Sequence, residues 1–100
     1  MSFKWEKVGV IGVDAGLCWV GDPCYCVTPD SDNYPAKTWL EFCDMLNDKF
    51  YKDGHKQFDY SLGHPGLGVV VSTGYGDGTY PVFIKKNEEG RVVGVMVKFD

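Results

Sequence analysis

Glycine occupies every second position of Gly74-Tyr75-Gly76-Asp77-Gly78, and this segment separates two runs rich in apolar and β-branched residues, 67–73 and 79–86. Glycine reaches positive φ without the steric cost that other residues meet there. A chain punctuated in this way between strand-forming runs has to turn, and Asp77-Gly78 is a pair suited to positive φ. A second turn is read at Asn87-Glu88-Glu89-Gly90, a four-residue connection with glycine at its left-handed position. In the run that follows, Val93, Val95, Val97 and Phe99 share one face. The last third of the chain is therefore predicted to be a three-stranded antiparallel meander over 67–73, 79–86 and 91–99.

Upstream, residues 7–13 are apolar on both faces, as expected of a strand that is covered on both sides or closes a barrel. Asp14-Ala15-Gly16 should turn this strand into a second one over 17–20, the two forming a hairpin. Gly21-Asp22-Pro23 ends the second strand, because proline has no amide hydrogen to give to a ladder. Residues 27–36, with two prolines among Asp, Ser and Asn, read as an irregular loop. One helix is predicted over about 38–52. Thr38 to Glu41 fits a capping box, and Trp39, Phe42, Cys43, Leu46 and Phe50 recur at helical spacing as a core-facing stripe that Gly54 terminates. An optional edge strand surrounds Phe58 and Tyr60. The fold class expected is α+β: a curved antiparallel sheet or half-open β-barrel, with the C-terminal meander and one packed helix.

A chain of 100 residues, 44% hydrophobic, suits one domain spanning 1–100. A net charge of −4 with ten scattered Lys and Arg lacks the basic footprint of a DNA- or RNA-binding surface, so no nucleic-acid polymer is expected as a partner. No apolar run nears the roughly 20 residues of a membrane span, and charges interrupt the start where a signal peptide would be apolar. A cytoplasmic location, of a bacterium or an infected host cell, is expected. In that reducing setting Cys18, Cys24, Cys26 and Cys43 are read as free thiols. Long apolar edge strands make a homo-oligomer the expected assembly.

Three short segments combine glycine, aspartate and, in two of them, tyrosine: Val13-Asp14-Ala15-Gly16, Gly21-Asp22-Pro23-Cys24-Tyr25, and Gly74 through Pro81. Tight turns call for Asp and Gly on their own account. The same residues also offer a second reading, in which Asp14, Asp22 and Asp77 gather as acceptors for hydroxyls or a base edge beside stacking surfaces from Tyr25, Tyr75 and Tyr80. Catalytic and metal patterns are weaker. Gly74-x-Gly76-x-Gly78 precedes a strand where a dinucleotide fingerprint needs a helix. Cys24-Tyr25-Cys26 lacks zinc-ligand spacing, and the three aspartates lack an EF-hand pattern. A nucleophilic Cys24 or Cys26 with His64 as base and Asp22 as its orienting group is the enzymatic alternative. No metal or cofactor is expected.

Residues 13–25 and 71–82 resemble the DUF4241 family in its Asp-Ser-Gly … Asp-Pro-Cys-Tyr and Ser-Gly-Tyr-Gly-Asp-Gly-x-Tyr-Pro-Val patterns, with Ala15 here where serine is common. Residues 89–99 resemble the family's ending, so the likeness covers roughly half of the chain by direct reading of these motifs. The resemblance implies a small protein of bacteria or their phages and brings no reaction. Phage proteins of this size are often accessory factors acting on host defence. The function expected is thus non-enzymatic binding of a small polar or nucleotide-like ligand, such as a nucleotide-derived defence signal, through Asp14, Asp22, Tyr25, Tyr75, Asp77 and Tyr80. Lys85, Lys86 and Arg91 are candidate phosphate partners. The alternative is a protein-interaction module, an inhibitor or immunity protein, meeting a host protein through a sheet edge and aromatics such as Trp5 and Tyr34.

Overall fold

The computed structural model describes residues 4–27 and 35–100. Its elements run β1 (Glu6–Val13), β2 (Leu17–Gly21), α1 (Cys24–Val27), α2 (Trp39–Met45), α3 (Asp48–Asp53), β3 (His55–Asp59), β4 (Pro65–Ser72), β5 (Gly78–Lys86) and β6 (Val92–Val97). The expected α+β class with antiparallel strands is what forms. The strands make two open three-stranded sheets, ordered β1-β5-β6 and β2-β4-β3. The backbone divides accordingly into two compact units, residues 1–16 with 73–100, and residues 17–72.

Strand pairing departs from expectation at two places. The predicted meander reduces to a β5–β6 hairpin, because β4 pairs with β2 and β3 while β5 pairs with β1. For the same reason β1 and β2 do not form a hairpin. A two-residue type I′ turn at Asp77-Gly78 would need positive φ at Asp77. Among the described residues only glycines have positive φ, and in this loop the left-handed positions are Gly74 (φ 77°) and Gly76 (φ 81°). The chain is thereby turned before Asp77, and Gly78 enters β5 opposite Val13 of β1.

In the unit spanning 17–72, β4 is the central strand, and Leu67, Gly68 and Val70 are buried in it. Leu46, Phe50 and Phe58 complete the cluster, with Trp19, Phe42 and Tyr60 packed on its margin. Trp19 sits here because Gly21 and Gly68, opposite each other on β2 and β4, have no side chains. A Cβ on Gly68 would lie 2.1 Å from Trp19 Cζ2, and one on Gly21 would lie 2.6 Å from Trp19 Nε1.

The helix predicted over 38–52 is two helices. Thr38 caps α2 as expected, its hydroxyl accepting from Glu41 N–H at 3.1 Å, while the Glu41 carboxylate accepts from Lys37 N–H. The break lies at Leu46-Asn47, both with extended backbone, where the Asn47 side chain accepts from Phe50 N–H and so starts α3. Asparagine competes for local backbone donors in this way, which makes it a poor residue inside a helix and a good one at its start. Gly54 closes α3 at φ 83°. Leu46 and Phe50 are buried as the stripe predicts, but Trp39 is 58% exposed, at the first position of a helix of only two turns. The optional edge strand exists as β3, on the outer side of β4. No helix among the described residues is long and apolar enough to cross a membrane.

Gly68→Ala should lower stability by about 1–3 kcal/mol, since the methyl group and the Trp19 ring need the same space. Gly9→Ala in β1, where a Cβ meets nothing within 4 Å, should change it by less than about 0.5 kcal/mol. Urea-unfolding midpoints of the two variants measure the contrast.

Candidate functional site

Within the unit spanning 17–72, a cavity of about 370 Å³ is lined by Trp19, Cys26, Lys37, Thr38, Trp39 and Phe42, together with Pro35 and Ala36. Its aromatic wall is ordered. Trp39 stacks on Phe42 (5.6 Å, 12°) and Phe42 stacks in turn on Phe58 (5.1 Å, 7°), while Trp19 meets Phe42 and Phe58 edge-on at 6.0 and 5.4 Å. Such pairs contribute about 0.5–1.5 kcal/mol each beyond the area they bury. The Trp19 indole Nε1 is buried and has no hydrogen-bond partner among the described residues. A buried donor left unmade costs about 1–3 kcal/mol, so a polar group in this position calls for an explanation.

Two of the residues expected to bind ligand, Asp22 and Tyr25, belong to the same unit. Asp22 Oδ1 accepts from Cys24 N–H at 3.0 Å and Asp22 carbonyl accepts from Tyr25 N–H at 3.1 Å. Asp22 thus holds the start of α1, and Pro23, just before its first residue, has no N–H left to satisfy. Tyr25 meets Tyr60 edge-on at 5.7 Å, and Tyr60 stacks on His64 at 4.5 Å. Electrostatic interaction with Tyr60 pushes the Tyr25 hydroxyl above the ordinary tyrosine range, with desolvation, Cys24 and Asp22 acting in the same direction. Asp22 thus spends one carboxylate oxygen on the α1 start, and the His64 ring is stacked on Tyr60. All four cysteines are free, and burial pushes the Cys18 thiol up, as befits a thiol packed as a small apolar group.

The other four residues, Asp14, Tyr75, Asp77 and Tyr80, belong to the unit of β1, β5 and β6, where the Asp14 and Asp77 turns come together. Thr73 N–H donates to Gly16 carbonyl at 3.0 Å, and Asp77 Oδ1 lies 4.0 Å from where a Gly16 Cβ would be. Thr73, 2% exposed, shares its hydroxyl between Gly76 carbonyl (2.6 Å) and Gly16 carbonyl (3.3 Å). The Tyr80 hydroxyl donates to the same Gly76 carbonyl at 2.7 Å, and its ring is buried edge-on to Phe99. Tyr80 is therefore a strut of the loop, whereas Asp14, Tyr75 and Asp77 are exposed. Among the described residues no group of three or more His, Cys, Asp or Glu is arranged to hold a metal ion. Of the proposed phosphate cations, Arg91 pairs with Glu89 at 3.3 Å, and Lys85 Nζ lies 5.8 Å from the ring centre of Trp5. Tyr34 lies outside the described residues.

The model of a protein family of unknown function, DUF4241, matches residues 6–97. The chain belongs to the DUF4241 family. No curated protein and no solved structure gives a significant match. The match extends across residues 27–66, where direct reading of motifs finds no likeness, and so takes in α2, α3 and the aromatic wall. In this DUF4241 protein both motif segments hold backbone: one starts α1, the other pins the loop into β5. The cavity residues Trp19, Trp39, Phe42 and Lys37 were not among the sequence candidates. Periodicity assigned Trp39 and Phe42 to the core, and the signal that could have separated them was Asn47, which shortens the helix that would have buried Trp39.

Thr73→Val should cost about 1–2 kcal/mol, because the buried hydroxyl is replaced by an isosteric methyl beside two carbonyls. Denaturant unfolding measures it. Tyr25 should ionise above pH 10 in an absorbance titration, and Tyr60→Phe should lower that value. The stability this tyrosine contributes is complete below its unfolded pKa and is lost as pH rises through the higher folded value.

Proposed function

We propose that this DUF4241 protein is a binding protein, without catalysis, for a small planar ligand of nucleotide type. The observation that carries the reading is the aromatic cavity walled by Trp19, Trp39 and Phe42. Small-molecule sites are concave and mostly apolar, with a few polar groups that fix orientation, at volumes of roughly 300–1,000 Å³. A flat heteroaromatic ring stacks on the open side of the Trp39–Phe42 pair, and Lys37 faces an anionic group. Lys37 thus takes the part that Lys85, Lys86 and Arg91 were expected to play. Asp22 and Tyr25 support the reading from within the same unit, because the cap they form begins the helix that carries Cys26 to the cavity wall.

Titrating tryptophan fluorescence with nucleosides, linear nucleotides and cyclic nucleotides, alongside mass spectrometry of molecules released by heat, tests this function. Binding should weaken about fivefold or more in Trp39→Ala, as loss of one base-stacking partner costs about 1–3 kcal/mol. A panel in which nothing binds, together with an empty heat extract, defeats the reading.

A further inference from the structure

A second cavity in the unit spanning 17–72, of about 350 Å³, is formed by α3 and the start of β3 and shares no residue with the aromatic one. Lys56 lines it, and ordinary strand patterning does not explain a lysine there. It pairs across the ladder with Val70, 1% exposed, and lies two residues from buried Phe58, so it holds a core-facing position of β3. Its ammonium reaches the margin of the core, 5.7 Å from the Phe58 ring centre, as long cationic side chains do when their stems are covered. An inward charge on an edge strand discourages pairing with a further strand, which accounts for Lys56 alone. It does not account for Lys49, which α3 brings to the same cavity.

The stretch 17–72 holds eight acidic residues and four lysines, so carboxylate partners are plentiful. Two of those four lysines nevertheless line this one cavity, and neither has a carboxylate within ion-pair distance among the described residues. Asp53 is the only carboxylate among the described residues that lines it. Asn47, also in the lining, commits its side-chain oxygen to Phe50 N–H at 3.1 Å and has only its amide donors left. His55 lines the cavity too, and either tautomer of a neutral imidazole carries one ring N–H. Donors and positive charge thus outweigh acceptors. We propose that this cavity binds a phosphate group, with Lys49 and Lys56 neutralising its charge and Asn47 and His55 donating to its oxygens. A lysine ammonium is a point charge with three donors, which suits phosphate oxygens. A terminal phosphate or diphosphate carries more than one negative charge and so matches two cations, where a carboxylate matches one. The chemistry is shared by free phosphate or pyrophosphate and by the terminal phosphate of a small ester. It rests on residues separate from the aromatic cavity.

Isothermal titration calorimetry with inorganic phosphate, pyrophosphate and ADP, at constant ionic strength and without divalent metal, tests this site. Pyrophosphate should bind. Lys56→Met, which keeps an unbranched stem at the core-facing position, should weaken it about fivefold or more, since charge-assisted hydrogen bonds are the stronger class. Lys49→Met should do the same from an exposed position, and it carries the test should Lys56→Met fail to fold. Lys52→Met, on α3 but outside the cavity, should change binding less than about twofold, as a distant exposed charge contributes little. Trp39→Ala should leave pyrophosphate binding unchanged whatever it does to ADP, which separates this site from the aromatic cavity. ADP binding that Lys56→Met weakens marks the phosphate of an ester as the ligand, and pyrophosphate binding without ADP binding marks the free anion. The proposal is overturned if none of the three probes binds at millimolar concentration, or if binding is indifferent to both Lys49→Met and Lys56→Met. It is equally overturned if Lys52→Met weakens pyrophosphate as much as they do, or if Trp39→Ala abolishes its binding.

Discussion

Trp19 can lie against its sheet only because Gly21 and Gly68 leave the surface beneath it bare, and the arrangement of residues 17–72 follows from that seat. A side chain at either glycine would lift the indole off β4. The indole in turn meets Phe42 and Phe58 edge-on, and these two rings, stacked on each other, tie α2 to β3. The edge-on contacts place the positive rim of one ring system at the negative face of another, which fixes angles as well as distances. The same seat buries the indole N–H away from water. Packing that fixes the hydrophobic cluster therefore also leaves this donor without a partner among the described residues.

The family motifs have a physical account that does not depend on a ligand. Gly76 carbonyl accepts from both Thr73 and Tyr80, so Thr, Gly, Gly and Tyr in that segment are coupled: the glycines allow the left-handed turns, and the two hydroxyls hold the carbonyl that the turn presents. In the other motif, aspartate supplies the acceptor and proline the missing donor at one short helix start. Ala15, where serine is common in the pattern, is exposed in the turn after β1. Glycine and aspartate in such loops report first on backbone geometry, and only the side chains left projecting, Asp14, Tyr75 and Asp77, are free for other work.

Element positions were legible in the sequence where one local rule dominated. Thr38 and Glu41 announce the start of α2, Gly54 the end of α3, and the β-branched runs announce β1, β5 and β6. Pairing was not legible, because a loop that returns a strand to its neighbour and one that passes it to another sheet draw on the same glycines. The difference lies in which residue takes positive φ, Gly76 or Asp77, and composition is silent on that. Burial of Trp39 failed for a related reason: helical spacing ran unbroken through Leu46, while the Asn47 side chain stopped the helix there. The candidate site suffered most, since its aromatic residues have the same spacing whether they face a core or line an opening.

Sheet β1-β5-β6 raises a different constraint. None of the helices among the described residues belongs to its unit, and the buried residues there, Val13, Thr73 and Tyr80, cluster at the loop end of the sheet. Val92, Val93 and Val95 on β6 are all more than half exposed, and Val8 and Val10 on β1 are as well. Three strands gain little from their ladder hydrogen bonds alone, because water offers comparable ones when the strands separate. They need apolar area removed from water, and much of the apolar area of this sheet stays exposed.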